Sequence, residues 1–149
     1  MKKIILLLNL IIFVLISCTE GCNVKGIDVS QEIIDGGNMN GIDYCFLYKK
    51  ALDGDSSSIK DFSTIETFEG GFIYAHGVYL IRLIDRVGDD YYVKTIKGIN
   101  NRQKALIDSY INAGMDIYET YYTGNGAKKY KSISDFWNKH PILKDEVSE

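Results

Sequence analysis

The feature that most constrains this chain lies between Phe72 and Val87. There Ile73, Gly77, Leu80, Ile81, Ile84 and Val87 recur at helical spacing, the pattern of one buried stripe on a helix. Gly88 ends the stripe and Asp89 is placed to cap a following helix, whose inner face is Tyr92, Val93, Ile96 and Ile99. Asn100 with Gln103 has the form of a capping box. It opens a helix bearing Leu106, Ile107, Tyr110 and Ile111, for which Gly114 is the expected C-terminal cap.

The preceding region repeats this grammar. A helix over Ile42 to Leu52 is broken by Asp53-Gly54-Asp55. Asp55 or Ser56 then caps a second helix carrying Ile59, Phe62 and Ile65, which Glu69-Gly70-Gly71 stops. Sliding the chain by 34 residues lays Gly54-Asp55 on Gly88-Asp89 and Ile59, Phe62 and Ile65 on Val93, Ile96 and Ile99. A last short helix from near Ser134 brings Phe136 and Trp137 to the core and stops at Pro141. The expectation is an all-α bundle of five or six helices arranged as stacked helical hairpins. Residues 117–131 stay open between a short β-hairpin turning at Gly124-Asn125-Gly126, an irregular loop, and a helix continuing past Met115.

Composition fits one globular domain: 149 residues, 46% hydrophobic, 25% charged, a single Pro. The first seventeen residues stand apart, with Met1-Lys2-Lys3 followed by an apolar run from Ile4 to Ile16 broken by Asn9. As a helix the run would span about 20 Å, short of the roughly 20 residues that cross a bilayer. Without Lys2 and Lys3, the seventeen basic residues become fifteen against twenty acidic ones, a net of −5. Nucleic acid is therefore not the expected partner.

The run ends in Leu15-Ile16-Ser17-Cys18, which resembles the lipobox of a bacterial lipoprotein precursor. The resemblance covers the first 18 residues and implies a signal peptide over 1–17, removed before Cys18. It also implies a diacylglyceryl group on the Cys18 thiol and a further acyl chain, such as palmitate, on its amine. Two or three chains anchor a protein stably where one does so marginally. Thr19 is not the Asp that resembles an inner-membrane retention signal, which points to the outer membrane, on the periplasmic or the outer face. Residues 18–41, rich in Gly, Asn and Asp, read as the lipidated cysteine and a tether. Residues 42–143 read as the helical domain and 144–149 as a frayed acidic tail.

Two cysteines remain. An exported compartment permits a Cys22–Cys45 disulfide, worth about 3 kcal/mol; the alternative is a buried Cys45 and a free Cys22. Asp53, Asp55, Ser57 and Asp61 occupy positions 1, 3, 5 and 9 of a calcium-loop template, but Ser58 and Thr64 stand where it needs Gly and Glu. They read as helix breakers and caps. His76 and His140 have no second ligand at metal spacing, so no metal or cofactor is expected. No catalytic group is evident either, although sequence order does not exclude a triad assembled in space. Asp85, Arg86, Asp89 and Asp90 read as a mixed-charge turn. Lys128-Lys129-Tyr130-Lys131 lacks phosphate-loop spacing and reads as an exposed basic loop, with lipid headgroups as an alternative contact.

Eleven tyrosines are the distinctive composition feature, and Tyr91, Tyr92, Tyr118, Tyr121 and Tyr122 are the candidate binding face. Together these readings predict a non-enzymatic envelope lipoprotein, held to the membrane through Cys18, that binds another protein. An immunity or inhibitor protein is the narrower form. The alternatives are a small enzyme acting on envelope glycan or lipid, and a passive structural or assembly subunit.

Overall fold

A computed structural model describes residues 21–66, 68, 70–121 and 129–148, with backbone alone at 119–121. The expected signal peptide, Cys18 and Tyr122 lie outside the described residues. In chain order the elements are β1 (Asn23–Val24), β2 (Ile27–Asp28), α1 (Gln31–Met39), α2 (Tyr44–Leu52), α3 (Ser56–Ser63), α4 (Gly71–Val87), α5 (Asp89–Ile96), α6 (Asn101–Tyr121), α7 (Ile133–Lys139) and α8 (Pro141–Val147). The chain is thus a small all-α bundle with one two-stranded hairpin. The described residues hold eight helices rather than five or six.

Local chemistry explains most boundaries. Asp43 and Asp55 cap α2 and α3 by accepting from the Phe46 and Ser58 amides at 3.0 and 2.8 Å. The Asn100–Gln103 box is reciprocal, each side chain accepting the other residue's backbone N–H at 3.0–3.1 Å. The two helix-turn-helix corners coincide at the 34-residue offset, with φ of +88° at Gly54 and +86° at Gly88. They differ in that α4 has 17 residues against nine in α2.

The two longest helices, α4 and α6, pack along each other where Gly77 and Gly114 meet backbone to backbone. Gly114 therefore sits inside α6 and does not cap it, because a residue without Cβ is what this contact needs. α6 runs on through Tyr121, so the first arm of the considered β-hairpin is helix; residues 122–128 lie outside the described set.

Both ends of the domain are more ordered than the sequence suggests. The expected tether holds β1, β2 and α1, with Val24, Val29 and Ile33 buried in the core. The expected frayed tail is mostly α8. Pro141 ends α7 and also opens α8 at its first turn, where its missing N–H costs nothing. Leu143 and Val147 of α8 are buried, and Glu146 pairs with Lys104 at 3.2 Å.

Candidate functional site

Two regions concentrate chemistry. The first is the platform built from the N-terminal hairpin and α2. Lys25 and Gly26, at φ +53° and +83°, turn β1 into β2. Cys22 and Cys45 form a disulfide with Cα atoms 6.0 Å apart, joining the hairpin to α2 across 23 residues of sequence. Lys25 reaches the same helix, its Nζ 2.5 Å from Asp53 and donating to the Leu52 carbonyl at 3.2 Å. The hydrogen bond from Lys25 holds the Asp53 carboxyl below its ordinary range. An open groove of about 530 Å³ beside the disulfide is lined by Gly21, Cys22, Lys25, Ile34, Cys45 and Lys49.

Tyr44, Tyr48, Ala51 and Leu52 turn inward from α2, so Cys45, Phe46, Lys49 and Lys50 form its outward stripe. Phe46 is 57% exposed, and the Lys50 ammonium lies 5.2 Å from its ring centroid.

The second region lies where α4 meets α5, and it joins residues that sequence order keeps apart. His140, 7% exposed, has Nδ1 3.1 Å from Asp89 Oδ1 and Nε2 2.7 Å from the Tyr130 hydroxyl. Tyr130 is fully buried and donates to Asp85 Oδ1, which also meets the Lys129 ammonium at 2.6 Å. Burial alone would raise the Asp85 pKa, but hydrogen bonds from His140, Lys129 and Tyr130 outweigh it and hold the carboxyl below its usual range. Chemically this is a carboxylate–imidazole–phenol network in which both His140 nitrogens, the Tyr130 hydroxyl and Asp85 Oδ1 meet partners, while the buried Asp85 Oδ2 has no hydrogen bond among the described residues. It fastens α7 and α8 to the Gly88 corner. Sequence reading placed Asp85 and Asp89 in a solvated turn and left His140 alone. Their four-residue spacing was the one available hint, and nothing local linked them to a histidine 51 positions away.

Burial removes Tyr92 and Tyr118 from the candidate tyrosine face. Tyr92 and Tyr118 are buried at 0% and 1% exposure, and the Tyr92 hydroxyl donates to Ser63 Oγ at 2.7 Å. Tyr91 is exposed, but its hydroxyl donates to the Gly54 carbonyl at 2.7 Å, bracing one corner against the other. The Tyr121 side chain and Tyr122 lie outside the described residues. Tyrosine is spent inside because each ring fills volume and several of the hydroxyls find a partner. Tyr79 donates to the Asp28 carbonyl and Tyr110 to the Ile65 carbonyl.

His76 belongs to the same core. Its Nδ1 is 2.9 Å from the Tyr44 hydroxyl and its ring packs edge-on to Tyr110 at 4.5 Å. Burial pushes its pKa down to about 3, against a smaller upward effect of the Phe62 backbone, so the ring is neutral.

Of the considered calcium ligands, Asp55 is the expected helix cap and Asp53 pairs with Lys25, a contact the sequence did not suggest. Among the described residues no group of three or more His, Cys, Asp or Glu is placed to hold a metal ion, and no helix is long and apolar enough to cross a membrane. No protein-family model, curated protein or solved structure matches the chain.

Proposed function

We propose that this is an exported bacterial envelope protein, acylated at Cys18, whose helical domain binds another protein and performs no chemistry of its own. The observation that carries the reading is the Cys22–Cys45 disulfide. Disulfides of this structural kind belong to oxidising compartments, the destination that the lipobox-like Leu15-Ile16-Ser17-Cys18 implies. Binding is favoured over catalysis because His140 and Tyr130, the groups best suited to move a proton, are buried with their polar atoms on protein partners. The narrower form, an immunity or inhibitor protein facing a toxin or hydrolase, draws on small size, net negative charge and the anchor.

The test is Cys18→Ala in the native host with a radiolabelled fatty acid. The expected result is loss of label and accumulation of the longer precursor. Normal labelling and processing of the variant would overturn the anchor reading. Deleting the gene should sensitise cells to a competing strain if the narrower form holds, and unchanged competition removes that form.

A further inference from the structure

We propose that the domain docks on its own membrane through the outward stripe of α2, with Phe46 entering the interface and Lys49 and Lys50 meeting anionic phospholipid headgroups. The inference rests on acylation of Cys18, and it follows from how little chain separates that residue from the fold. Thr19, Glu20 and Gly21 alone stand between Cys18 and Cys22, and four Cα steps cover at most about 14 Å. A domain of this length is about 35 Å across. The leash is therefore too short for the domain to turn freely above the bilayer, and the side bearing Cys22 must face it.

That side is α2, because Cys22 is bonded to Cys45. Cys45, Phe46, Lys49 and Lys50 share one flank of the helix at i, i+1, i+4 and i+5, and Lys49 lines the same groove as the disulfide. Its charge is complementary to an anionic leaflet although the mature chain is net negative. Lys25 is paired with Asp53, the Asp43 carboxylate sits at the N-terminal end of the helix on the Phe46 amide, and of Cys45, Phe46, Lys49 and Lys50 only the two lysines carry charge. An exposed aromatic ring with a lysine stem beside it suits the boundary between acyl chains and headgroups. The leash is comparable to the screening length of about 10 Å at 0.1 M salt, so the lysines stay within reach of the surface field.

The experiment uses the full acylated protein in vesicles of phosphatidylglycerol with phosphatidylethanolamine, and in vesicles of neutral phosphatidylcholine. Lysine acetylation is read peptide by peptide. Lys49 and Lys50 should react about fivefold more slowly on the anionic vesicles, the factor expected for each lysine near such a surface. Lys131 and Lys144 should not change. The protection should vanish in about 1 M salt, where the screening length is about 3 Å, and weaken in Phe46→Ser, whose side chain is exposed and whose loss leaves the core intact. Equal reactivity on both vesicles overturns the proposal, as does protection centred on Lys131 or Lys144. The same digest weighs the Cys18 peptide. An acylated Cys18 without protection of the stripe refutes docking alone, whereas an unacylated Cys18 refutes the anchor and the docking together.

Discussion

Replacing Gly77 by alanine tests the central packing argument. A Cβ at Gly77 would lie 2.0 Å from the Tyr110 carbonyl oxygen and 2.7 Å from the Gly114 nitrogen, and one at Gly114 would lie 2.3 Å from the Gly77 carbonyl carbon. All three obstacles are backbone, so no side chain can rotate away. To restore ordinary contact of 3.4 Å, α4 and α6 must part by 1.4 Å at this point. The rows beside it, Leu80, Ile81 and Ile84 on α4 and Ile107 and Ile111 on α6, are fully buried. A gap of about 1 Å forfeits up to about half of a contact's dispersion energy. Overpacking costs about 1–3 kcal/mol, and a backbone obstacle puts this site at the upper end. Alanine regains about 1 kcal/mol of helix propensity. The net expectation is a loss of roughly 2 kcal/mol, or about 4–8 °C in Tm for a domain of this size. Urea unfolding followed by circular dichroism measures it. Gly71→Ala is the control in the same helix. Its Cβ meets only a Glu32 carboxylate oxygen at 3.8 Å, so it should be neutral or stabilising by up to about 1 kcal/mol. A Gly77→Ala protein as stable as the parent, with an unchanged denaturant slope, would refute the close approach.

His76, held neutral with a pKa of about 3 against 6.5 when unfolded, makes the unfolded chain the better proton acceptor. Stability should be full above pH 6.5 and fall by about 1.4 kcal/mol per unit below it, about 2 kcal/mol by pH 5; His76→Gln should flatten that slope, and a flat parent profile in urea midpoints would contradict the assignment. Asp85 has the same sign in a more acid window, because here too the unfolded chain binds the proton more readily. Its folded pKa is lowered, so its contribution is full above the ordinary carboxylate value of about 4 and is lost as pH falls through the lower folded value. Asp85→Asn should cost about 2 kcal/mol near neutral pH and remove that acid limb, as read from denaturation midpoints against pH. Converting Cys22 and Cys45 to serine together should cost about 3 kcal/mol, and an unshifted Tm would mean that the bridge constrains nothing.

What the sequence revealed was local. The stripe from Ile73 to Ile84 gave α4, and the Asn100–Gln103 and Asp55 caps gave two helix starts, because each signal lies within a few residues of its effect. Other features are set by distant partners. Gly77 and Gly114 read as a stripe position and a stop, since a glycine's neighbour across a helix pair leaves no periodic trace. The segment 22–41 read as spacer because its strands are two residues long and α1 carries Gly36 and Gly37, which read as breakers although both are buried within the helix. Tyr92 and Tyr118 were placed on a candidate binding face although both are buried, and for Tyr92 the hydroxyl partner, Ser63, lies 29 positions away in sequence. Composition counts tyrosines but does not say which find an acceptor.

The ordered N-terminus changes what an anchor at Cys18 implies. A flexible spacer over residues 19–41 would let the domain roam about 25 Å root-mean-square from its acyl chains, and a partner could be met well away from the bilayer. Instead the hairpin is bonded to α2 through Cys22–Cys45, and Tyr79 of α4 holds its far end by donating to the Asp28 carbonyl and accepting from the Ser30 amide at 2.8 Å. The packed core begins at Cys22, so movement of the anchor is movement of the core. On the proposed reading a partner would have two routes: to approach at the headgroup level beside α2, or to bind the opposite side of the bundle, which would project about one domain diameter from the membrane. Inserting a flexible spacer of about twenty residues after Cys18 separates these routes. Binding at the headgroup level should weaken as the local concentration of the domain at the surface falls, whereas binding on the opposite side should be unaffected.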